Sequence, residues 1–277
     1  MNDSPEVTGS NLYTPYFEDG NIVISSFSQD GSPKFFRVHR SVLSVHSGVF
    51  AQIFSIPVPS EAAGMDMHDG VPLVHLPDPA EDIGGLLRAT YDLSSLPNHH
   101  RDPNKPILMK GILALATKYE FEITRSHIIQ SIERDWPHDL QGWDALENEV
   151  SQVAPRGFPH IAAPPNYPEP ASALRLARTF GITSILSATF YDLSRISAIM
   201  DWDICRKSDT GGLWKRLCHR ERSARWSALD ASDFICVLRG RERLQIMHRD
   251  IVSSVLDVPV FMQRCTDATN PVSRDAG

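Results

Sequence analysis

The chain has 277 residues, of which 42% are hydrophobic and 22% charged, a composition typical of a globular protein rather than a disordered or fibrous one. No apolar run approaches the roughly 18 residues of a membrane span, and the N-terminus has no apolar signal core, so we expect an intracellular protein of cytoplasm or nucleus with no membrane partner. Residues 1–170 hold 11 Lys and Arg against 22 Asp and Glu, whereas residues 171–277 hold 16 Lys and Arg against 12 Asp and Glu. The acidic first part argues against a chain built wholly for binding nucleic acid.

The sequence lacks the motifs that common enzymes and metal proteins use. The four cysteines all lie in the last third of the chain, and none forms a C-x-x-C pair. No phosphate-binding glycine loop, nucleophile elbow or H-E-x-x-H occurs. The early histidines fall on a strand end, a helix and loops rather than at chelating spacing, and they are His39, His46, His68 and His75. We therefore predict a non-enzyme with no catalytic residue, no metal site and no cofactor.

The first domain begins with a predicted hairpin followed by two short helices. Residues 22–24 and 34–38 are strand-like runs separated by the turn cluster Q-D-G-S-P. The period of the apolar residues then changes from two to about 3.6. We predict that the helices start at Ser41 and Ser47, whose hydroxyls can accept unpaired backbone N–H groups. Leu43 and Phe50 are predicted core residues of these helices.

A third strand and three more helices are predicted to complete this domain. Residues 71–76 are strand-like, and the sequence D-P-A-E that follows is a helix start with Asp78 as the cap. Pro106 suits the start of the next helix, and Thr124 that of the third. Strands followed by helices, rather than alternating with them, indicate an α+β fold with a small sheet and flanking helices. The second helix is predicted to bury a stripe that comprises Ile107, Leu108, Ile112, Leu115, Ala116 and Tyr119.

The remaining sequence divides at a proline-rich stretch. Residues 153–170 contain six prolines, a density that favours a linker. Beyond it the periodicity indicates helices only. The first of them is predicted to end at Gly181, and the last runs from about Ser232 to Leu256. Its predicted buried residues are Phe234, Leu238, Leu244, Met247, Ile251 and Val255. The predicted divisions are a disordered N-terminus at 1–12, the α+β domain at 13–137, the linker at 138–170, a helical region at 171–262 and a disordered tail at 263–277.

Five segments together resemble the BTB/POZ family. They are N-I-V-I at 21–24, F-x-V-H-R-x-x-L-x-x-x-S-x-x-F-x-x-x-F at 36–54, V-x-L-x-D at 74–78, L-L-x-x-x-Y at 86–91 and L-A-x-K-Y-E at 115–120. Their order and spacing agree with the family over residues 20–136, and the C-terminal half is similar to the helical extension of fungal BTB proteins. The resemblance implies a BTB/POZ-like domain followed by an all-helical C-terminal region. It also implies a protein-interaction module that is often a dimer.

The resemblance assigns a set of candidate interaction residues. Family dimers bury the N-terminal segment and the first helix, and many relatives pair an Asp with a basic residue like Arg40 in a charged pocket, where this chain has the uncharged Asn21. Many relatives are substrate adaptors for cullin ubiquitin ligases with a hydrophobic-x-Glu motif, for which the candidate here is P-S-E at 59–61. We expect a homodimer and hypothesise a cullin as a further partner. The candidate residues are Tyr13, Tyr16, Phe17, Asn21, His39, Arg40 and Glu61.

The alternative hypothesis is a transcriptional regulator or nucleic-acid-associated protein that uses the basic C-terminal region. Trp214 and Trp226 are interleaved with the basic residues, as in some nucleic-acid-binding surfaces. Asp209 and Glu221 interrupt the basic run, which favours an ordinary solvated helix face. We therefore expect protein partners rather than nucleic acid. The basic run comprises Arg206, Lys207, Lys215, Arg216, Arg220, Arg222 and Arg225.

Overall fold

A computed structural model of the chain describes residues 12–56, 66–153, 168–207 and 222–256. The chain divides into two compact units, Met1–Leu186 and Ser187–Gly277. The first contains a small sheet with many helices, and the described part of the second is mainly helical, so the fold is mixed α/β. No helix in the four described ranges is both long enough and apolar enough to cross a membrane.

One sheet runs through the described part of the first unit. Its strands are β1 Leu12–Tyr16, β2 Ile22–Phe27, β3 Pro33–Val38, β4 Met67–His68 and β5 Val71–His75, in the spatial order β1-β3-β2-β5-β4. The antiparallel pair β2 and β3 confirms the predicted hairpin, with Ile22 opposite Val38. Gly31 takes the positive φ of 79° that its turn requires. β5 confirms the third predicted strand and runs parallel to β2.

The two edge strands were not predicted from the sequence. β1 pairs with β3 in parallel, with Leu12 opposite Phe35 and Tyr16 opposite Arg37. It contains Pro15, which lacks a backbone N–H and is therefore tolerated at an edge. Leu12, assigned above to a disordered N-terminus, is the first residue of β1; residues 1–11 lie outside the described ranges. β4 has only two residues, too few to show an alternating pattern.

The described part of the first unit also contains seven α-helices. They are α1 Arg40–His46, α2 Gly48–Ser55, α3 Ala80–Tyr91, α4 Lys105–Lys118, α5 Glu122–Glu133, α6 Leu140–Val153 and α7 Pro170–Phe180. Leu43 and Phe50 are fully buried, as predicted. The Phe50 ring lies 5.4 Å from the ring of Tyr119 and 6.0 Å from that of Phe121. These three rings form the part of the core where α2 meets the end of α4.

Ser47 is the N-cap of α2, as predicted, whereas α1 has His39 and not Ser41 at its N-cap position. The Ser47 hydroxyl oxygen accepts the backbone N–H of Phe50 at 3.0 Å. The same hydroxyl donates to the backbone carbonyl of Tyr119 at 2.5 Å. One buried side chain thus caps a helix and ties it to a residue far along the chain.

Two other predicted helix caps are wrong. Asp78 does not cap α3, because its carboxylate accepts from Lys118 Nζ at 2.7 Å and from the Tyr119 hydroxyl at 2.6 Å. The hydrogen bond to Asp78 is also the main cause that raises the pKa of Lys118. Thr124 lies buried inside α5, which already begins at Glu122. In both cases a partner or a packing site elsewhere in the fold decides the role of the side chain.

A buried ion pair fixes the start of α4. Lys105 Nζ lies 2.6 Å from Asp135 Oδ2, and both side chains are buried. The other carboxylate oxygen of Asp135 accepts the backbone N–H of Arg101 at 3.0 Å. The next residues of α4 contradict the predicted stripe, because Ile107 and Leu108 are half exposed. The buried face of α4 comprises Met109, Ile112, Leu113, Leu115 and Ala116.

The predicted linker at 138–170 is wrong in its first part, which forms α6. Trp143 and Leu146 are buried, so this helix has an apolar face of its own. The prolines begin only after Val153, and the proline-rich residues 154–167 lie outside the described ranges. The sequence interpretation extended the proline signal too far towards the N-terminus.

The helix α7 is well defined at both ends and belongs to the first unit. The Glu169 carboxylate accepts the backbone N–H groups of Ala171 and Ser172 at 3.0 and 2.8 Å. Gly181 ends the helix in the left-handed conformation at φ 70°, as predicted. Because α7 packs against α4, the two compact units divide after Leu186 and not in the proline-rich stretch.

The described helices towards the C-terminus are α8 Leu186–Arg195, α9 Trp202–Lys207 and α10 Ala231–Leu256. The predicted last helix is confirmed by α10. Its predicted core is wrong: Val237 is buried, but Phe234, Leu238, Leu244, Met247 and Ile251 are exposed, while nothing is described of the Val255 side chain. The predicted disordered tail at 263–277 lies outside the described ranges.

Candidate protein-interaction site

The start of α1 brings together two of the predicted site residues. The side-chain oxygen of Asn21, at the entrance to β2, accepts the backbone N–H of Arg40 at 2.8 Å. His39 precedes the helix but makes no side-chain cap, so Asn21 supplies it from a neighbouring strand. A neutral amide oxygen suffices for this bond. Within this unit, Asn21 therefore acts as a helix cap.

The side chain of Arg40 closes the two short helices onto each other. Its guanidinium donates to the backbone carbonyl of Phe54 at 3.3 Å and lies 4.9 Å from the centre of the Phe54 ring. The carbonyl belongs to the last turn of α2, where a cation is favourable. A cation over an aromatic face adds further attraction. Arg40 is thereby positioned at the surface by contacts within its own unit.

The chain between β1 and β2 is held by an aromatic cluster, which consists of Phe17, His39 and Tyr91. The Phe17 ring lies 4.6 Å from the Tyr91 ring and 5.3 Å from the His39 ring. The Tyr91 hydroxyl accepts the backbone N–H of His39 at 3.0 Å and lies 3.0 Å from His39 Nδ1. Asp19 Oδ1 lies 3.2 Å from the other ring nitrogen, Nε2. Phe17 thus docks on its own unit.

Tyr91 is the central residue that the sequence interpretation of the site missed. It is the last position of the L-L-x-x-x-Y segment, so the signal was present but was taken only as a family match. Burial raises the pKa of Tyr91, and the nearby Asp19 adds to the rise, although the hydrogen bond from His39 opposes it. The raised pKa keeps the phenol neutral, and in this form it packs against Phe17 and accepts the backbone N–H of His39.

Tyr16 anchors β1 to the far side of the sheet. Its hydroxyl donates to the carboxylate of Asp69, which follows β4. Burial, followed by the hydrogen bond to Asp69, raises the pKa of Tyr16 to about 12. Tyr13 lies on β1, but nothing is described of its side chain, and Glu61 lies outside the described ranges. Five of the seven predicted site residues can thus be placed, and four of them surround the start of α1.

Two further histidines of the first unit, His68 and His75, have local partners. His68 stacks on Phe35 with ring centres 4.2 Å apart. His75 Nε2 lies 3.3 Å from Asp66, and its Nδ1 lies 2.5 Å from the Ser25 hydroxyl. Among the residues that the structure describes, no three His, Cys, Asp or Glu side chains are grouped as a metal ion would require.

Three large apolar side chains on α1, on α2 and directly after α2 are exposed. Val45 is 80% exposed, Ile53 41% and Ile56 67%. We call these three residues the α1–α2 patch. Scattered exposed apolar residues are normal, but several on adjoining turns more often indicate a contact surface.

The basic run of the alternative hypothesis is only partly described. Arg222 lies 2.7 Å from the buried carboxylate of Asp192, and Arg225 lies 4.5 Å from the centre of the Trp202 ring. Both arginines therefore make contacts inside the second unit. Of the remaining basic residues, 215, 216 and 220 lie outside the described ranges, and nothing is described of the side chains at 206 and 207.

Comparison with known proteins adds no identity to this geometry. No protein-family model matches the chain, and no curated protein matches it.

Proposed function

We propose that this chain is an intracellular, non-enzymatic protein-interaction module of the BTB/POZ type, and that it forms a homodimer through the α1–α2 patch. The resemblance to that family rests on residues that prove to be structural. Phe36, Leu43, Ser47 and Phe50 are all buried. The matched positions supply core residues and a helix cap in this chain, and this supports the proposal.

The exposure of the α1–α2 patch is the observation that carries the proposed dimer. Val45 projects from α1 with four-fifths of its surface in solvent, and Ile53 and Ile56 continue the apolar surface along and beyond α2. Burying these side chains against a second copy would remove apolar area from water at about 25 cal/mol per Å². The hydrogen bonds of Asn21 and Arg40 hold the same two helices in place within their own unit.

Substituting Val45→Glu tests this dimer with little risk to the fold, because the side chain is so exposed. Sedimentation velocity at micromolar concentration should give a lower mass for Val45→Glu than for the unchanged chain. The matched control is Ile123→Glu on α5, where Ile123 is 57% exposed but lies outside the patch. A control that retains the original mass supports the assignment. An unchanged mass for Val45→Glu would show that the patch is not an interface.

A role as substrate adaptor for a cullin ligase follows from the same resemblance and forms the second part of the proposal. The residue expected to matter is Glu61, in the P-S-E segment. Purified cullin should be retained on the immobilised chain and lost with Glu61→Ala, whereas Glu120→Ala, a glutamate after α4, should leave binding unchanged. If the intact chain retains no cullin, the module serves another protein partner.

A further inference from the structure

The helix α10 carries more exposed large apolar side chains than any other described helix. It has 26 residues, which corresponds to a length of about 39 Å. Its large exposed side chains are Phe234, Ile235, Leu238, Leu244, Ile246, Met247, Ile251 and Val252. A surface helix normally buries one apolar stripe and keeps polar residues on the opposite face. Exposed apolar residues along several turns indicate that something else covers them.

One face of α10 is buried at its start and uncovered further along. Val237 is buried within the second unit, and Leu244 and Ile251 follow it at steps of seven residues, with Met247 between them. Residues at this spacing share a face of a helix, and the spacing is that of a coiled-coil seam. Leu244 is 40% exposed, and Met247 and Ile251 are each 59% exposed. The same stripe therefore changes from core to surface within two turns.

The orientation of α10 is fixed by a polar contact with the end of α8. Arg241 Nε donates to the backbone carbonyl of Ser194 at 3.0 Å, and Nη2 donates to that of Ile196 at 2.9 Å. These are carbonyls at and just after the C-terminus of α8, where a cation is favourable. The stripe of Leu244, Met247 and Ile251 is thus presented by an anchored helix.

The charged residues beside the stripe of Leu244, Met247 and Ile251 favour a second copy of the same helix as its partner. Arg243 and Asp250 lie on one edge of it, seven residues apart, and both are exposed. In an antiparallel pair of identical helices, Arg243 of each copy faces Asp250 of the other, which gives two favourable contacts related by a two-fold axis. A parallel pair would instead place Arg243 near His248. The other edge carries His248 and Arg241, which is engaged with α8.

The packing along the stripe fits the same antiparallel arrangement. In the antiparallel arrangement, Leu244 lies opposite Met247 of the second copy, and Ile251 lies opposite Gly240 of the second copy. Among the described residues, and apart from the adjacent backbone of α10 itself, no atom lies within 4 Å of the position that a Cβ of Gly240 would take. The bare backbone there leaves room for the branched side chain of Ile251, as a knob fits into a hole.

We propose that α10 forms an antiparallel pair with α10 of a second copy of this chain, burying Leu244, Met247 and Ile251. The paired segment is only three to four turns long, so the pair is expected to form and dissociate at micromolar concentrations. The partner is the chain itself because its own charge pattern is self-complementary in this orientation.

The first test replaces the stripe in the full chain. The double variant Met247→Glu with Ile251→Glu should raise the dissociation constant at least tenfold in sedimentation equilibrium. Ile246→Glu is the matched control, since Ile246 is 54% exposed on the opposite face of the same helix. Circular dichroism should show the same helix content for all variants. Equal dissociation constants for the double variant and the unchanged chain would overturn the proposal.

A charge exchange tests the orientation of the pair. Arg243→Asp and Asp250→Arg should each weaken association, because every contact then joins like charges. Mixing the two variants should restore it. In the mixed pair, the introduced aspartate meets the introduced arginine at one end, and the original Arg243 meets the original Asp250 at the other. If the mixture associates no better than either variant alone, the antiparallel pair is wrong and the stripe binds a different protein.

This pair is independent of the dimer proposed through the α1–α2 patch. If both interfaces exist, the unchanged chain assembles beyond a dimer, and Val45→Glu combined with the double α10 variant gives a monomer. If only the α10 pair exists, Val45→Glu alone has no effect and the double α10 variant alone gives the monomer. The failure of either proposal is therefore visible without the other.

Discussion

The side-chain oxygen of Asn21 accepts the backbone N–H of Arg40 at 2.8 Å and thereby caps α1 from the adjacent strand. At this position many BTB/POZ proteins have an Asp that pairs with a basic residue in a charged pocket, and the uncharged Asn21 cannot supply that charge. The contact gives the residue a different role. It satisfies one of the backbone donors that every helix leaves unpaired at its N-terminus.

We expect Asn21→Ala to lower the free energy of unfolding by about 1 kcal/mol, the usual loss for a helix cap. Asn21→Asp keeps an acceptor oxygen in the same place and should lose little or nothing. Urea denaturation of the three proteins measures the difference. Equal losses for Ala and Asp would show that the oxygen does not act as a cap.

The buried residues of the first two helices should be sensitive to truncation. Leu43→Ala and Phe50→Ala are each expected to lower the free energy of unfolding by about 2–5 kcal/mol, because both leave a cavity in the core. Val45→Ala on the exposed side of α1 is the control and should change it by less than about 0.5 kcal/mol. Losses below about 0.5 kcal/mol for both core variants would contradict this packing.

The ion pair between Lys105 and Asp135 supports the start of α4 from inside the protein. Asp135→Ala leaves the ammonium buried without its partner, so we expect a loss of about 3–5 kcal/mol in the free energy of unfolding. The double variant Lys105→Met with Asp135→Leu removes both charges and should lose less than Asp135→Ala alone. Chemical denaturation that ranks the double variant as the less stable of the two would refute this role of the ion pair.

Tyr16 should make the protein less stable at high pH. Its pKa is raised from 10.0 to about 12 in the folded protein, so the unfolded chain loses the proton first. Between these two values the unfolded state binds fewer protons, and the free energy of unfolding falls as pH rises. Tyr16→Phe lacks this contribution and should lose stability less steeply there. Urea titrations at several pH values, with phenolate absorbance as a direct readout, provide the measurement.

The sequence predicted the parts of the fold that depend on local chemistry. The hairpin follows from two β-branched or aromatic runs around a turn cluster. Ser47 marks a helix start because its hydroxyl can accept a backbone N–H, and Gly181 marks a helix end because glycine tolerates a positive φ. Leu43 and Phe50 were also correctly predicted as core residues, because each lies in an apolar run of helical spacing after the strand.

The sequence failed where a side chain finds its partner far along the chain. Asp78 has the spacing of a helix cap, but Lys118 and Tyr119 compete for its carboxylate. Tyr91 completes the aromatic cluster only because the last turn of α3 lies next to the start of α1 in the folded unit. No local sequence pattern indicates contacts between residues that are so far apart along the chain.

The exposed stripe of α10 shows a different limit. Periodicity identifies which residues share a face, and Leu244, Met247 and Ile251 do share one with Val237. It cannot tell whether that face meets the same molecule or another one. The predicted burial of the stripe is therefore wrong within the single chain. A second copy that covers the stripe, as proposed above, would account for its amphipathic pattern.

The bond between Ser47 and Tyr119 has a consequence for how the protein is synthesised. The two residues are 72 positions apart, so the ribosome releases α1 and α2 well before their partner carbonyl exists. Until then the apolar side of α2 lacks the rings of Tyr119 and Phe121 that cover Phe50. A nascent chain at this stage carries the kind of uncovered surface that chaperones bind. Truncated products that end before Tyr119 should accordingly aggregate or be degraded rather than persist as half-domains.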